Sequence, residues 1–198
     1  NKKPNFKLIS EIASECFMPI CYGGGIFDLE TAKKIFAAGV EKISINSSAI
    51  QNLDFVKELA DIFGSQSIVL SLDIKKGFFG SYKVYYHKYS NTIKLDYVDF
   101  VKKCVDNGAG EILLTSVDQE GTQSGFDLKL IKQISAMISV PLIANGGAKD
   151  VNDIIAAFKF GASAVSCGSK FVYEGPHKAV LVSYLNKDEY NNINNINS

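Results

Sequence analysis

"PICYGGGIFDLETAKKIFAAGVEKISINSSAI", residues 19–50, recurs 122 residues later as "PLIANGGAKDVNDIIAAFKFGASAVSCGSKFV", residues 141–172. Laid over one another without gaps, eight of the 32 positions are identical: Pro19/Pro141, Gly24/Gly146, Gly25/Gly147, Asp28/Asp150, Phe36/Phe158, Gly39/Gly161, Ser44/Ser166 and Ser47/Ser169. Each copy holds a short apolar run, paired glycines, an aspartate that can cap a helix, a helical stripe closed by glycine, and a second apolar run ending in a serine. A strand–helix–strand module therefore occurs twice, and repetition of this kind dictates architecture.

Outward from the two copies the same alternation continues. Six brief apolar runs stand at 18–22, 42–46, 67–73, 111–116, 141–144 and 163–167, the pattern of strands buried on both faces of a parallel sheet. Helical patterns fall at 6–16, 28–38, 52–63, 96–107, 127–137 and 150–160, most of them opened by Asp or Asn and several closed by Gly. Alternating aromatics in "FFGSYKVYYHKYSNTIK" (78–94) suggest a β-hairpin inserted after the third strand. Two strands lie between the copies, so a full repeat holds four βα units and two repeats make a (βα)8 TIM barrel of two half-barrels. By the same offset, two strands are expected ahead of residue 19 that this chain does not supply. Residues 1–185 thus read as a partial barrel domain and 186–198 as an Asn-rich, frayed C-terminal tail.

Composition narrows the function. With 21 basic and 21 acidic residues and no basic run, nucleic acid is an unsuitable partner. No apolar stretch has membrane-span length and no export signal is visible, so a cytoplasmic location follows by default. Cys16, Cys21, Cys104 and Cys167 are scattered without a C-x-x-C pair and only His87 and His177 could add imidazole, so the expectation is no metal site and no cofactor.

Barrel enzymes carry their sites on the loops that follow the strands, with phosphate held by backbone amides at a helix start. Gly24-Gly25 with Asn46-Ser47 could form one such cradle, and Gly146-Gly147 with Gly168-Ser169 a second. A glycine pair alone also fits a tight turn at φ > 0; duplication in register is what favours phosphate. The loop 118–125, with Gly121, lies beside the second cradle. Between the cradles a reacting centre needs an acid or base, and Asp73 ends the third strand where a side chain would enter the barrel mouth. A helix cap or an ion pair with Lys75 or Lys76 would equally account for that aspartate. Thr115 and Asp118 close the next strand and are candidate substrate contacts; His87 reads as an exposed loop residue.

"GGGIFDLETAKKIFAAGVEKISINSSA", "FGSQSIVLSLDIKK", "GAGEILLTSVDQEGTQSGFD" and "GGA" with "GSKF" resemble, in order and spacing, the HisF family, the cyclase subunit of imidazole glycerol phosphate synthase. The resemblance implies a lyase of histidine biosynthesis that receives ammonia from a HisH-like glutaminase in a heterodimer. That ammonia is added to an aminoimidazole carboxamide nucleotide with two phosphates, which is cleaved and cyclised to imidazole glycerol phosphate. Asp73 matches one of the family's two acid/base aspartates; the other belongs to a first-strand "LD" motif not found in this chain. Gly25, Asn46 and Ser47 match one phosphate site, and Gly121, Gly147, Gly168 and Ser169 the other. Asn145 stands where the family has serine and Glu120 where it has aspartate, and "KKGFFGSYKVYYH" is more similar to paralogues of the WbuZ type, associated with amidation of surface-glycan sugars. A catalytically inactive scaffold that binds a phosphorylated ligand is the third reading.

Overall fold

The computed structural model describes residues 3–77, 80–174 and 179–194. Six parallel strands follow one another in chain order across one sheet: β1 (Cys21–Gly23), β2 (Lys42–Ile45), β3 (Ile68–Lys76), then β6 (Glu111–Ser116), β7 (Leu142–Asn145) and β8 (Ala164–Ser166). Helices stand between them: α1 (Phe6–Glu15) precedes β1, and α2 (Leu29–Ala37), α3 (Ser47–Gln51), α4 (Asp54–Phe63), α5 (Tyr97–Asp106), α6 (Leu128–Ser135) and α7 (Val151–Lys159) fill the crossovers. This is the βα succession of a TIM-barrel fold. Every run read as a strand is one, and Asp28, Asp96, Asp127 and Asp150 cap the helices they were expected to open, whereas α4 starts at Asp54, two residues past Asn52, with Leu53 at its cap. Asp28 Oδ1 accepts the Thr31 N–H at 2.7 Å, and Asp150 forms a capping box with Asp153.

Residues alternate across the sheet, and the two faces differ in kind. Ile43, Ile68, Leu70, Leu72, Ile112 and Leu142 are fully buried on the helix side, against Ile35, Leu59, Val101 and Ile134. Each such side chain contributes about 1.5–3 kcal/mol on leaving water. Phe36 and Phe63 stack at 4.2 Å, joining α2 to α4. The opposite face is polar at both ends. Lys42 and Glu111 form an ion pair at the N-terminal ends of the strands, and Asp73, Thr115 and Asn145 lie in one register row near the C-terminal ends.

Two readings of the chain are corrected. The third strand does not end at Asp73: β3 runs on to Lys76 and pairs antiparallel with β4 (Tyr82–Tyr86), which forms with β5 (Asn91–Thr92) the hairpin read after it. Tyr82 Oη then donates to both Asp127 carboxylate oxygens at 2.9 Å, fixing the hairpin to the cap of α6. The C-terminal segment does not fray over 187–194 but forms α9 (Lys187–Asn194), started by reciprocal bonds between Asn186 and Glu189 and seated on α7. Between these, α8 (Ser169–Val172) leads into an antiparallel pair, β9 (Tyr173–Glu174) and β10 (Ala179–Val180). His177 and the aromatic pair Phe78-Phe79 lie outside the described residues. Among those described, no helix is long and apolar enough to cross a membrane.

Candidate functional site

The duplicated glycines adopt the same backbone in both copies. Gly24 and Gly25 have φ of 108° and 73°, and Gly146 and Gly147 have 94° and 104°, a region closed to most side chains. After the next strand of each copy comes a short helix, α3 opening at Ser47 and α8 opening at Ser169. Paired glycines at positive φ followed by a short helix therefore recur at the β1/β2 and β7/β8 ends, as the turn reading of these glycines requires.

The two cradles are nonetheless unequal. The first is an open pocket of about 290 Å³ lined by Gly23, Gly24, Gly25, Asn46, Ser47 and Ser71, with no carboxylate in its wall. A Cβ added to Gly24 would meet nothing within 4 Å. The second, between Gly146-Gly147 and Gly168-Ser169, holds only about 10 Å³. Loop 118–125 fills it. The Gly125 N–H donates to the Gly147 carbonyl at 2.8 Å, and a Cβ on Gly147 would lie 2.1 Å from the Gly125 carbonyl oxygen. Asn145 Nδ2 donates to Glu120 Oε2 at 3.1 Å and to Thr115 Oγ1 at 3.2 Å, and Gln123 Nε2 donates to the Ser169 carbonyl at 3.3 Å. Both departures noted in the sequence, Asn145 and Glu120, thus meet in one hydrogen bond.

Between the cradles lies Asp73, 7% exposed. It neither caps a helix nor pairs with Lys75 or Lys76. Its Oδ2 accepts from Asn46 Nδ2 at 3.0 Å and from His87 Nε2 at 3.1 Å. Burial holds the carboxyl above its ordinary value, while the His87 imidazole and the Thr115 hydroxyl draw it back down. Asn46 Nδ2 also donates to the Ser71 carbonyl at 3.0 Å, leaving its buried Oδ1 without a partner among the described residues. Asp118 sits apart from this group: its carboxylate accepts the Lys76 N–H at 2.6 Å and so secures the extension of β3.

His87 is the residue that the sequence concealed. Extending β3 to Lys76 sets the register Ile74↔Val84, which places Tyr85 opposite Asp73 and His87 two residues beyond on the same face. An alternation count carried through the hairpin from Asp73 would have found it.

Residues 1–178 match the histidine biosynthesis protein family. The chain belongs to that family. Among its relatives, a protein of Pseudomonas aeruginosa provisionally named imidazole glycerol phosphate synthase subunit hisF2 is 48% identical over 185 residues, 93% of this chain and 74% of the relative. One of Leptospira borgpetersenii, provisionally named imidazole glycerol phosphate synthase subunit HisF, is 42% identical, again over 93% of this chain and 74% of the relative. The imidazole glycerol phosphate synthase subunit HisF of Alkaliphilus metalliredigens is 41% identical over 84% of this chain and 66% of its own length. These relatives place the chain on the HisF branch of the histidine biosynthesis family.

Proposed function

We propose that the protein is an ammonia-using cyclase of the imidazole glycerol phosphate synthase kind, acting with a glutaminase subunit on an aminoimidazole carboxamide nucleotide that carries two phosphates. The observation that carries this reading is Asp73, a buried carboxylate between two glycine cradles whose neighbouring side chains come from the ends of two other strands, Asn46 and Thr115, and from a hairpin, His87. A carboxyl raised by burial above its ordinary range is a stronger base than a free aspartate. In this reading Gly25, Asn46 and Ser47 receive one phosphate, and Gly121, Gly147, Gly168 and Ser169 the other once the Glu120 side chain, from the same loop as Gly121, leaves the cradle. Asp73 relieves the attacking nitrogen of its proton as the new C–N bond forms, and returns it when the ring closes.

The test is turnover of that nucleotide by the protein with ammonium ions, which bypasses the glutaminase. Asp73→Asn is expected to abolish turnover while ligand binding persists; absence of turnover by the folded wild type overturns the assignment. The filled second cradle favours one further reading, that the barrel delivers ammonia to an enzyme amidating a surface-glycan sugar and does not bind the two-phosphate nucleotide productively. Ammonia-dependent amidation with such a partner, without cyclase turnover, distinguishes it.

A further inference from the structure

We propose that His87 is a positioning residue that holds Asp73 charged inside the sheet, making the hairpin β4–β5 part of the acid/base centre. The inference rests on the acid/base reading of Asp73 but is tested apart from it. A carboxylate that is 7% exposed needs donors to remain ionised. Its Oδ2 has two, the Asn46 amide and the His87 imidazole. Only the imidazole can carry charge. The His87 side chain is 66% exposed, so it stays in contact with water while its Nε2 reaches a carboxylate that water barely touches.

The ring is held in place rather than left to wander. Tyr85 meets it edge-on at 5.0 Å, and the His87 carbonyl accepts the Ser90 N–H at 3.1 Å, closing the turn with Ser90 at φ 49°. The rings of Tyr86, just before that turn, and Tyr89, within it, pack edge-on at 5.1 Å. The groups that bear on the imidazole are Asp73 on β3, Lys75, whose Nζ lies 5.7 Å over the Tyr85 ring, and Tyr85 itself. Lys88 is directed to the Tyr89 ring at 5.9 Å. Asp73 is thus the one acid against His87 among the described residues, and the imidazole favours its charged form. Protons balance simply: Asp73 takes one proton from the substrate and later returns it, while Nε2 keeps its own proton throughout.

The Asp73 carboxyl resonance can be assigned by the loss of one signal in Asp73→Asn. In a carbon-13 NMR titration, the Asp73 carboxyl midpoint is expected to rise in His87→Ala. An unmoved Asp73 midpoint overturns the proposal, and this holds whatever reaction the protein performs. Where turnover is measurable, His87→Ala is expected to move the acid limb of the kcat profile to higher pH. The expected loss is about tenfold at its acid end and within about twofold at its alkaline end, with KM little changed and His87→Gln intermediate. A uniform loss at all pH values marks His87 as merely structural and overturns the proposal with the cyclase reading intact.

Discussion

At the residue scale, two carboxylates decide how the site behaves with pH and salt. Asp73 is held above its ordinary value of 3.8, chiefly by burial. The folded state therefore binds this proton more tightly than the unfolded chain. The resulting cost to stability is absent at acid pH, grows as pH passes the unfolded value, and is complete above the folded one. Asp73→Asn, which removes the charge and keeps the shape, is expected to raise Tm by a few degrees at pH 7, with the gain fading toward pH 4; calorimetry across that range checks it. Such a gain alongside lost turnover is the signature of a group kept for chemistry. Glu120 presents the opposite case. Its carboxylate occupies the second cradle on the Asn145 amide, where it would oppose an arriving anion. Glu120→Gln keeps an acceptor for Asn145 and removes the charge. It is expected to tighten binding of inorganic phosphate about three- to tenfold at low ionic strength, a gain that shrinks in high salt. Equal affinity by titration calorimetry would dismiss the carboxylate as a barrier.

At the element scale, the repeated glycine turns serve different neighbours. Gly24 needs its φ of 108° but faces open space, whereas Gly147 combines φ of 104° with backbone so close that a Cβ would lie 2.1 Å from the Gly125 carbonyl oxygen. Gly24→Ala is expected to cost about 1–2 kcal/mol through backbone strain alone. Gly147→Ala should cost more and release loop 118–125, since the Gly125–Gly147 hydrogen bond cannot survive the displacement. Urea denaturation ranks the two, and proteolysis within 118–125 reports the loop. Comparable losses with an intact loop would contradict the packing argument. The contrast also marks a boundary of sequence reading: both glycines sit in one repeat register, and only the loop packed against the second separates them.

At the scale of the molecule, the sheet runs from the first cradle at β1/β2 to the second at β7/β8, with Asp73 between. A ligand with a phosphate at each end would tie these two regions together. It is expected to stabilise by about 2.7 kcal/mol at a hundredfold excess over Kd, and to slow hydrogen exchange in both the 23–25 and 118–125 loops. A ligand with one phosphate should protect the 23–25 loop alone, because only that cradle is open. Protection of both by the single-phosphate ligand would remove the distinction between them.

The sequence by itself determined the strand and helix succession, the duplicated module and its glycine turns, because burial periodicity, caps and positive φ are local demands written in neighbouring residues. Gly24, Gly147, Asp28 and Asp150 could be placed from their surroundings in the chain alone. Membership of the histidine biosynthesis family was likewise legible in motif order, from "SINSSA" to "GAGEILLTSVD". Only the tertiary structure decided that β3 outruns Asp73, that His87 returns to its carboxylate, that Asp118 secures a backbone amide, and that Glu120 closes the second cradle. Those contacts join residues 14 to 42 positions apart through strand register and loop path. Such approaches leave no periodic trace in the chain, since they are fixed by what the rest of the sheet has already packed.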